Sequence, residues 1–474
     1  MDKNKNLTLK ENFDLAIQYH KNNNFNDAQN YYQKVLKIDP NYINAHNNLG
    51  IIFKRLGDHE KAIDCFEKAI KINPNFAAAY SNLGNIFVVL EENQKAISYF
   101  EKSIEINPNH RDGLYNLGNL FLNTTEYKKA IDCFEKAIEI DTNHAGLQNN
   151  LGVSFLKLDE YTKALKCFQK AISINPNNHD TYNNLAISFG NLGEHQKAID
   201  SFKKAKLINP NLDYEISIAE SYLKNKDAKN ALSFLETYLK KYPQDTRANA
   251  YKTIALRGLK KFDQIEELIS FANLVKTIDL QILTSDNILE FNKELRSLLV
   301  NDPRRHPENN HRGWAIRGGT VIRNLLNTTN PSILKFEFFL KKAIDYYIDN
   351  LPNNDEHPFL MIKKKDYHIN NSWVNFLEPG NFQANHIHDK GWISGVYYLD
   401  EPEIELDEKH AGWIEFNRAG YNLPHFAGEQ GIELIKPKSG MFILFPSYTW
   451  HGTIPYKHKY NRISISFDIN PSGV

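Results

Sequence analysis

Over roughly the first 212 residues, small, aromatic and proline positions recur with a fixed period of 34. Pro40, Pro74 and Pro108 stand 34 apart; Thr142 interrupts the series, and Pro176 and Pro210 resume it. Gly50, Gly84, Gly118 and Gly152 share the spacing, and Ala186 takes the next place. Ala28, Ala62, Ala96, Ala130, Ala164 and Ala198 form a third series; Tyr32, Phe66, Phe100, Phe134, Phe168 and Phe202 form a fourth. Two helical patterns per period predict a helix-turn-helix solenoid. Six clear units run from about residue 9 to 212, and a degenerate seventh, 213–246, keeps its proline one place early at Pro243.

Further on the pattern changes twice. Residues 282–300, with Leu289, Phe291, Leu295 and Leu298 on one side, predict an amphipathic helix, and 331–349 a second. From about 359 the chain breaks into short β-rich runs separated by Gly and Pro: 372–378, 393–400, 412–416, 431–436, 441–445 and 462–469. That is the pattern of a sandwich or jelly roll. In the last run Ile463, Ile465, Phe467 and Ile469 face one side, and Arg462, Ser464, Ser466 and Asp468 the other. If the second side points inward, the interior is polar enough to expect a ligand.

The repeat units resemble the tetratricopeptide repeat. In 43–76 the residues that carry the likeness are Leu49, Gly50, Phe53, Ala62, Phe66, Ala69 and Pro74. Small residues at 50 and 62 let two helices approach, Phe66 fills the space between neighbours, and Pro74 ends the second helix. Asn48, Asn82, Asn116, Asn150 and Asn184 hold one place in five consecutive units. The series resembles the asparagine ladder of the O-linked N-acetylglucosamine transferase superhelix, which implies a groove that binds the main chain of a peptide or protein. The plainer reading is a local consensus of solvated amides.

The candidate chemistry lies in the last ninety residues. His386 and His388, two apart, share one face of a strand. His451 follows an apolar run, Arg462 comes 11 residues later, and Ser464 two positions on. Three close nitrogen or oxygen ligands suit a non-haem iron with open positions, and an arginine offers a planar fork to a carboxylate. Four blocks, Asn385–Asp400 (NHIHDKGWISGVYYLD), Gly412–Phe416 (GWIEF), Pro437–His451 (PKSGMFILFPSYTWH) and Arg462–Asp468 (RISISFD), resemble the iron(II)/2-oxoglutarate oxygenases related to the prolyl hydroxylases.

The resemblance implies a double-stranded β-helix that hydroxylates a substrate while 2-oxoglutarate is decarboxylated to succinate. It implies His386 and His451 as Fe(II) ligands. Arg462 with Ser464, helped by Tyr398, would bind the far carboxylate of 2-oxoglutarate. The family has His-x-Asp or His-x-Glu at the first block, whereas here the third position is His388 and the nearest carboxylate is Asp389. Strand alternation favours His388 as the third ligand; a turn would bring Asp389 round instead. Glu415 is read as a solvated edge residue or a partner to an iron-bound histidine.

Composition narrows the partners. Lys plus Arg equals Asp plus Glu, at 57 each, which gives no reason to expect nucleic acid or an anionic membrane. Cys65, Cys133 and Cys167 share one repeat position and read as buried thiols in a reducing, cytoplasmic setting. There is no phosphate-cradling glycine loop, serine nucleophile elbow or cysteine-based zinc pattern.

The predicted fold class is multidomain α + β. A tetratricopeptide α-solenoid spans 9–246, helices linking to and opening the catalytic region span 247–358, and a double-stranded β-helix spans 359–474. The expected function is an Fe(II)- and 2-oxoglutarate-dependent dioxygenase acting on a peptide or protein recruited by the repeats. The alternatives are a scaffold with a degenerate β domain, or an oxygenase acting on a small molecule.

Overall fold

A computed structural model describes residues 7–307, 316–400, 410–428, 430–456 and 461–473. Two compact units divide at Asn209 and Pro210.

The first unit is a run of helical hairpins. α1 (Leu9–Lys21) pairs with α2 (Phe25–Ile38), α3 (Ile43–Arg55) with α4 (His59–Ile72), and α5 (Ala77–Val89) with α6 (Asn93–Ile106). The series continues with α7 (Arg111–Asn123) and α8 (Tyr127–Ile140), α9 (Ala145–Lys157) and α10 (Tyr161–Ile174), and α11 (His179–Asn191) and α12 (His195–Ile208).

The 34-residue series now have physical meanings. A Cβ on Gly50, Gly84, Gly118 or Gly152 would sit 2.6–2.7 Å from the ring of Phe66, Phe100, Phe134 or Phe168. Each of these rings is fully buried. The turn inside each hairpin needs one left-handed residue: Asn23, Gly57, Glu91, Thr125, Asp159 and Gly193 all have φ between 57° and 78°. Cys65, Cys133 and Cys167 are buried free thiols, pushed up to about 11 by burial.

In the second unit the hairpins continue, with α13 (Glu215–Lys224) against α14 (Ala228–Leu239), then α15 (Thr246–Gly258) and α16 (Phe262–Leu268). A single turn, α17 (Phe271–Leu274), leads into β1 (Lys276–Asp279) and α18 (Ile288–Val300). β2 (His306–Pro307), β3 (Ile316–Arg317), β4 (Thr320–Arg323) and α19 (Pro331–Asp349) follow. The remaining strands are β5 (Tyr367–Leu377), β6 (Phe382–Gln383), β7 (Ile393–Asp400), β8 (Ile414–Phe416), β9 (Glu433–Ile435), β10 (Met441–Pro446), β11 (His451–Thr453) and β12 (Arg462–Pro471).

An antiparallel sheet runs β1-β10-β7-β12-β5-β4-β2, and a second runs β11-β8-β9. Val396, Tyr398, Ile443 and Phe445 of the first sheet and Ile414 and Phe416 of the second form one buried cluster, so the core lies between the sheets. This is the jelly-roll layout.

Two features differ from the sequence pattern. The stretch 247–358, read as helical, also supplies β1 to one edge of the large sheet and β4 and β2 to the other. These strands are too short to show alternation; their pairing is long-range, as in Lys276 with Leu444. In addition, α15 and α16 are fastened to the β domain. Trp450 Nε1 donates to the Ala250 carbonyl at 3.0 Å, Tyr448 donates to Leu268 O at 2.8 Å, and Arg257 donates to the carbonyls of Gln430 and Gly431. Polar tips satisfied by helix carbonyls fix where the β11 segment begins.

Candidate metal centre and co-substrate pocket

The first two histidines sit on the strand-like segment 385–388, which pairs with 447–451. His386 N donates to His451 O at 2.9 Å, His451 N donates back at 3.1 Å, and His388 N donates to Ser447 O at 3.0 Å. Alternation then turns His386 and His388 to the same side, opposite Ile387, which is buried. β11 presents His451 across from them. Ligand atoms of the three rings lie within 4.8 Å of one another.

The outer nitrogens are all engaged. His386 Nδ1 meets Ala384 O at 2.9 Å, His451 Nδ1 meets Thr449 O at 3.0 Å, and His388 Nδ1 meets Asp468 Oδ1. Carbonyls accept, so in the buried, neutral His386 and His451 Nδ1 carries the proton and Nε2 keeps its lone pair; in His388 Nδ1 faces the Asp468 carboxylate and Nε2 faces His386. Nε2 of His386 and Nε2 of His388 face each other at 3.1 Å. A shared proton or a shared cation accounts for that approach. Nitrogens about 2.1 Å from one ion and at right angles lie about 3 Å apart. The donor set therefore fits a divalent iron, for which imidazole is a suitable ligand.

The electrostatics keep the rings ready to bind metal. Burial, then the neighbouring His388, lowers His386 to about 3, and burial holds His451 well below the usual histidine range. Both stay neutral. Burial alone would raise the Asp468 carboxyl, but His388 and the hydroxyl of Ser394, which donates at 2.7 Å, hold it below its ordinary value. An ionised carboxylate thus stands directly behind one ring of the three-histidine group, with Ser447 bonded to Ser394 at 2.8 Å.

Sequence reasoning placed Asp468 on the polar row of β12 and gave it no role. The available signal was that row: Arg462 and Asp468 lie on one inward face. Glu415, in contrast, serves neither role foreseen for it. It is buried and bonded to Asn385 at 2.8 Å and Arg418 at 2.9 Å, with no bond to the three rings. Asp389 is exposed, lies outside the histidine group and lines a separate cavity with Lys390 and Trp392.

The inward row of β12 also holds the residues expected at the co-substrate. Arg462 is fully buried, its guanidinium 5.7 Å from the Tyr398 ring centre and 5.1 Å from that of Tyr456, and it donates to Gly412 O. Ser464 pairs in register with Tyr398 on β7, and both are buried. A buried guanidinium with a hydroxyl two residues along and a tyrosine beside it suits a carboxylate.

The five ladder asparagines lie in the first unit and are partly buried. Asn48 donates to Tyr32 Oη at 3.2 Å and Asn82 to Asn47 Oδ1 at 2.9 Å. Asn150 donates to Asn119 Oδ1 at 2.7 Å and Asn184 to Asn149 Oδ1 at 3.4 Å. Asn116 occupies the equivalent place on α7. All four of these bonds join successive repeats, a role the sequence reading did not foresee.

Comparison with known proteins agrees with this layout. Residues 371–468 match the family described as "Putative 2OG-Fe(II) oxygenase". Tetratricopeptide families match 18–57, 43–76, 75–143, 145–178, 167–200 and 217–245. No curated protein matches the chain. Similar solved structures include YrrB, titled a TPR protein with an unusual peptide-binding site, at 22% identity over 38% of this chain and 93% of that one, TM-score 0.34. MamA shares 27% identity over 35% and 92%, TM-score 0.31, and Pseudomonas aeruginosa pilF 18% over 43% and 93%, TM-score 0.40. The chain is a tetratricopeptide-repeat protein with a C-terminal domain of the 2OG-Fe(II) oxygenase family.

Proposed function

We propose that this protein is an Fe(II)- and 2-oxoglutarate-dependent dioxygenase that hydroxylates a peptide or protein recruited by its repeats, in the cytoplasm. In this reading 9–246 recruits and 359–474 carries the chemistry. The observation that supports it most is the convergence of the three imidazoles, each held by a contact at its own Nδ1. Bound iron would supply dioxygen activation coupled to decarboxylation of 2-oxoglutarate.

The chain's own residues do the rest. His386, His388 and His451 hold the ion and leave positions open. Asp468 orients the His388 ring and offsets charge that a ligating carboxylate would otherwise offset. Arg462, Ser464 and Tyr398 orient the far carboxylate of the co-substrate. The apolar cluster of Val396, Ile414, Phe416, Ile443 and Phe445 excludes water from one wall of the interior. The ladder asparagines would bind a peptide main chain through the amide groups left over from their contacts between repeats.

The test is succinate release from labelled 2-oxoglutarate after oxygen is admitted to anaerobic, Fe(II)-loaded protein. Release should disappear in His451→Ala and Arg462→Ala. Equal release from either variant would refute the assignment.

A further inference from the structure

We propose that Tyr421 is a positioning residue of the histidine centre, bracing from outside the two segments that carry the three imidazoles. The proposal rests on the oxygenase reading above. It starts from a backbone outlier. Tyr421 has φ 53° and Asn422 φ 59°, both in the left-handed region. Asparagine enters that region readily, whereas a bulky aromatic residue is disfavoured there. A residue in such a conformation persists only where the surrounding contacts over-determine it.

The contacts of Tyr421 run to the ligand segments. Pairing of 385–388 with 447–451 uses the backbone groups of His386 and His388. The N–H and carbonyl of Ile387 therefore point to the opposite edge. The Tyr421 hydroxyl occupies that edge: it accepts from Ile387 N at 3.4 Å and donates to Ile387 O at 3.3 Å. Both bonds are long, so the hydroxyl holds the segment by sitting between two groups, not through one strong bond. The Tyr421 ring meets the Trp450 ring edge-on, with 5.2 Å between centres. Trp450 immediately precedes His451. It is itself fixed by its bond to Ala250 O and by the parallel Tyr251 ring 6.3 Å away. The rest of the loop repeats the pattern. Asn417 N donates to Trp450 O at 2.8 Å. A Cβ on Gly420 would overlap the carbonyl oxygen of Asn385, the residue before His386, and would lie 3.0 Å from the Trp450 ring. The loop 417–421 thus touches both ligand segments, and Tyr421 spans them with one side chain. His386 and His388 flank Ile387, so a shift of Ile387 changes the distance and angle at which their rings meet a metal.

The full chain is titrated anaerobically with Co(II), a coloured stand-in for iron, and binding is followed by the visible ligand-field bands. Tyr421→Phe keeps the ring and removes the hydroxyl. It should weaken Co(II) binding about tenfold, the lower end of what losing a group behind the metal ligands costs. The bands should shift as well, because the rings meet the ion at altered angles. Gly420→Ala, which forces the loop off Asn385, should weaken binding further. Tyr367→Phe is the control. It too removes a hydroxyl with two bonds, to Lys341 O at 3.3 Å and Asp345 at 2.9 Å, and neither partner lies on a ligand segment. Affinity and bands should be those of the wild type. Unchanged affinity and bands in Tyr421→Phe would overturn the proposal. Equal losses in Tyr367→Phe would overturn it too, since the effect would then be one of general stability. Wild-type protein that bound no Co(II) would refute the metal-centre reading instead, and this proposal with it.

Discussion

The repeat unit and the β domain place their polar side chains to different ends. In the repeats, partly buried amides bond to the preceding repeat, as Asn82 does to Asn47 and Asn184 to Asn149. In the β domain the polar groups converge: three imidazoles face one point, Asp468 stands behind one of them, and Arg462 and Ser464 continue the same inward row. Polar groups that tie neighbours together support an extended array. Polar groups whose free valences point to one place imply something that belongs there.

Three substitutions sharpen this contrast. Asp468→Asn keeps the shape behind His388 and removes the charge. Iron affinity measured by anaerobic equilibrium dialysis should fall about 10- to 100-fold, the usual effect of losing a residue that orients a metal ligand. An unchanged affinity would leave Asp468 a merely structural group. Gly84→Ala pushes a methyl into the Phe100 ring, a contact of 2.6 Å. Denaturant unfolding should show a loss of about 1–2 kcal/mol with metal affinity intact. Ala186 already stands at the matching position of a later repeat, so the ring there adapts and the loss stays moderate. Asn82→Ala removes one inter-repeat bond and should cost about 1 kcal/mol or less. If binding of a peptide partner fell as well, the ladder would serve both cohesion and recognition.

The two regions also differ in how far the sequence alone reveals them. Each 34-residue unit solves the same local packing problem, so Gly50 against Phe66 is visible in the spacing before any coordinates. The alternation of Arg462 to Ile469 made β12 legible, and the two-residue offset of His386 and His388 placed both rings on one face. What stayed hidden was long-range. β1 and β4 are four residues each and pair with strands far along the chain, so neither carries a local signature. The His388–Asp468 contact spans 80 residues, and only the folded sheet brings it together. Glu415 misled because a carboxylate in a conspicuous strand invites a metal-side role, while its partners came from Asn385 and Arg418.

The most direct measurement concerns the position where this chain departs from its family, since an all-histidine centre is the central claim. Iron(II) bound per chain is measured anaerobically for the wild type, His388→Ala and Asp389→Ala. One ion should remain in the wild type and in Asp389→Ala, and be lost in His388→Ala. Iron retained without His388 but lost without Asp389 would contradict the account.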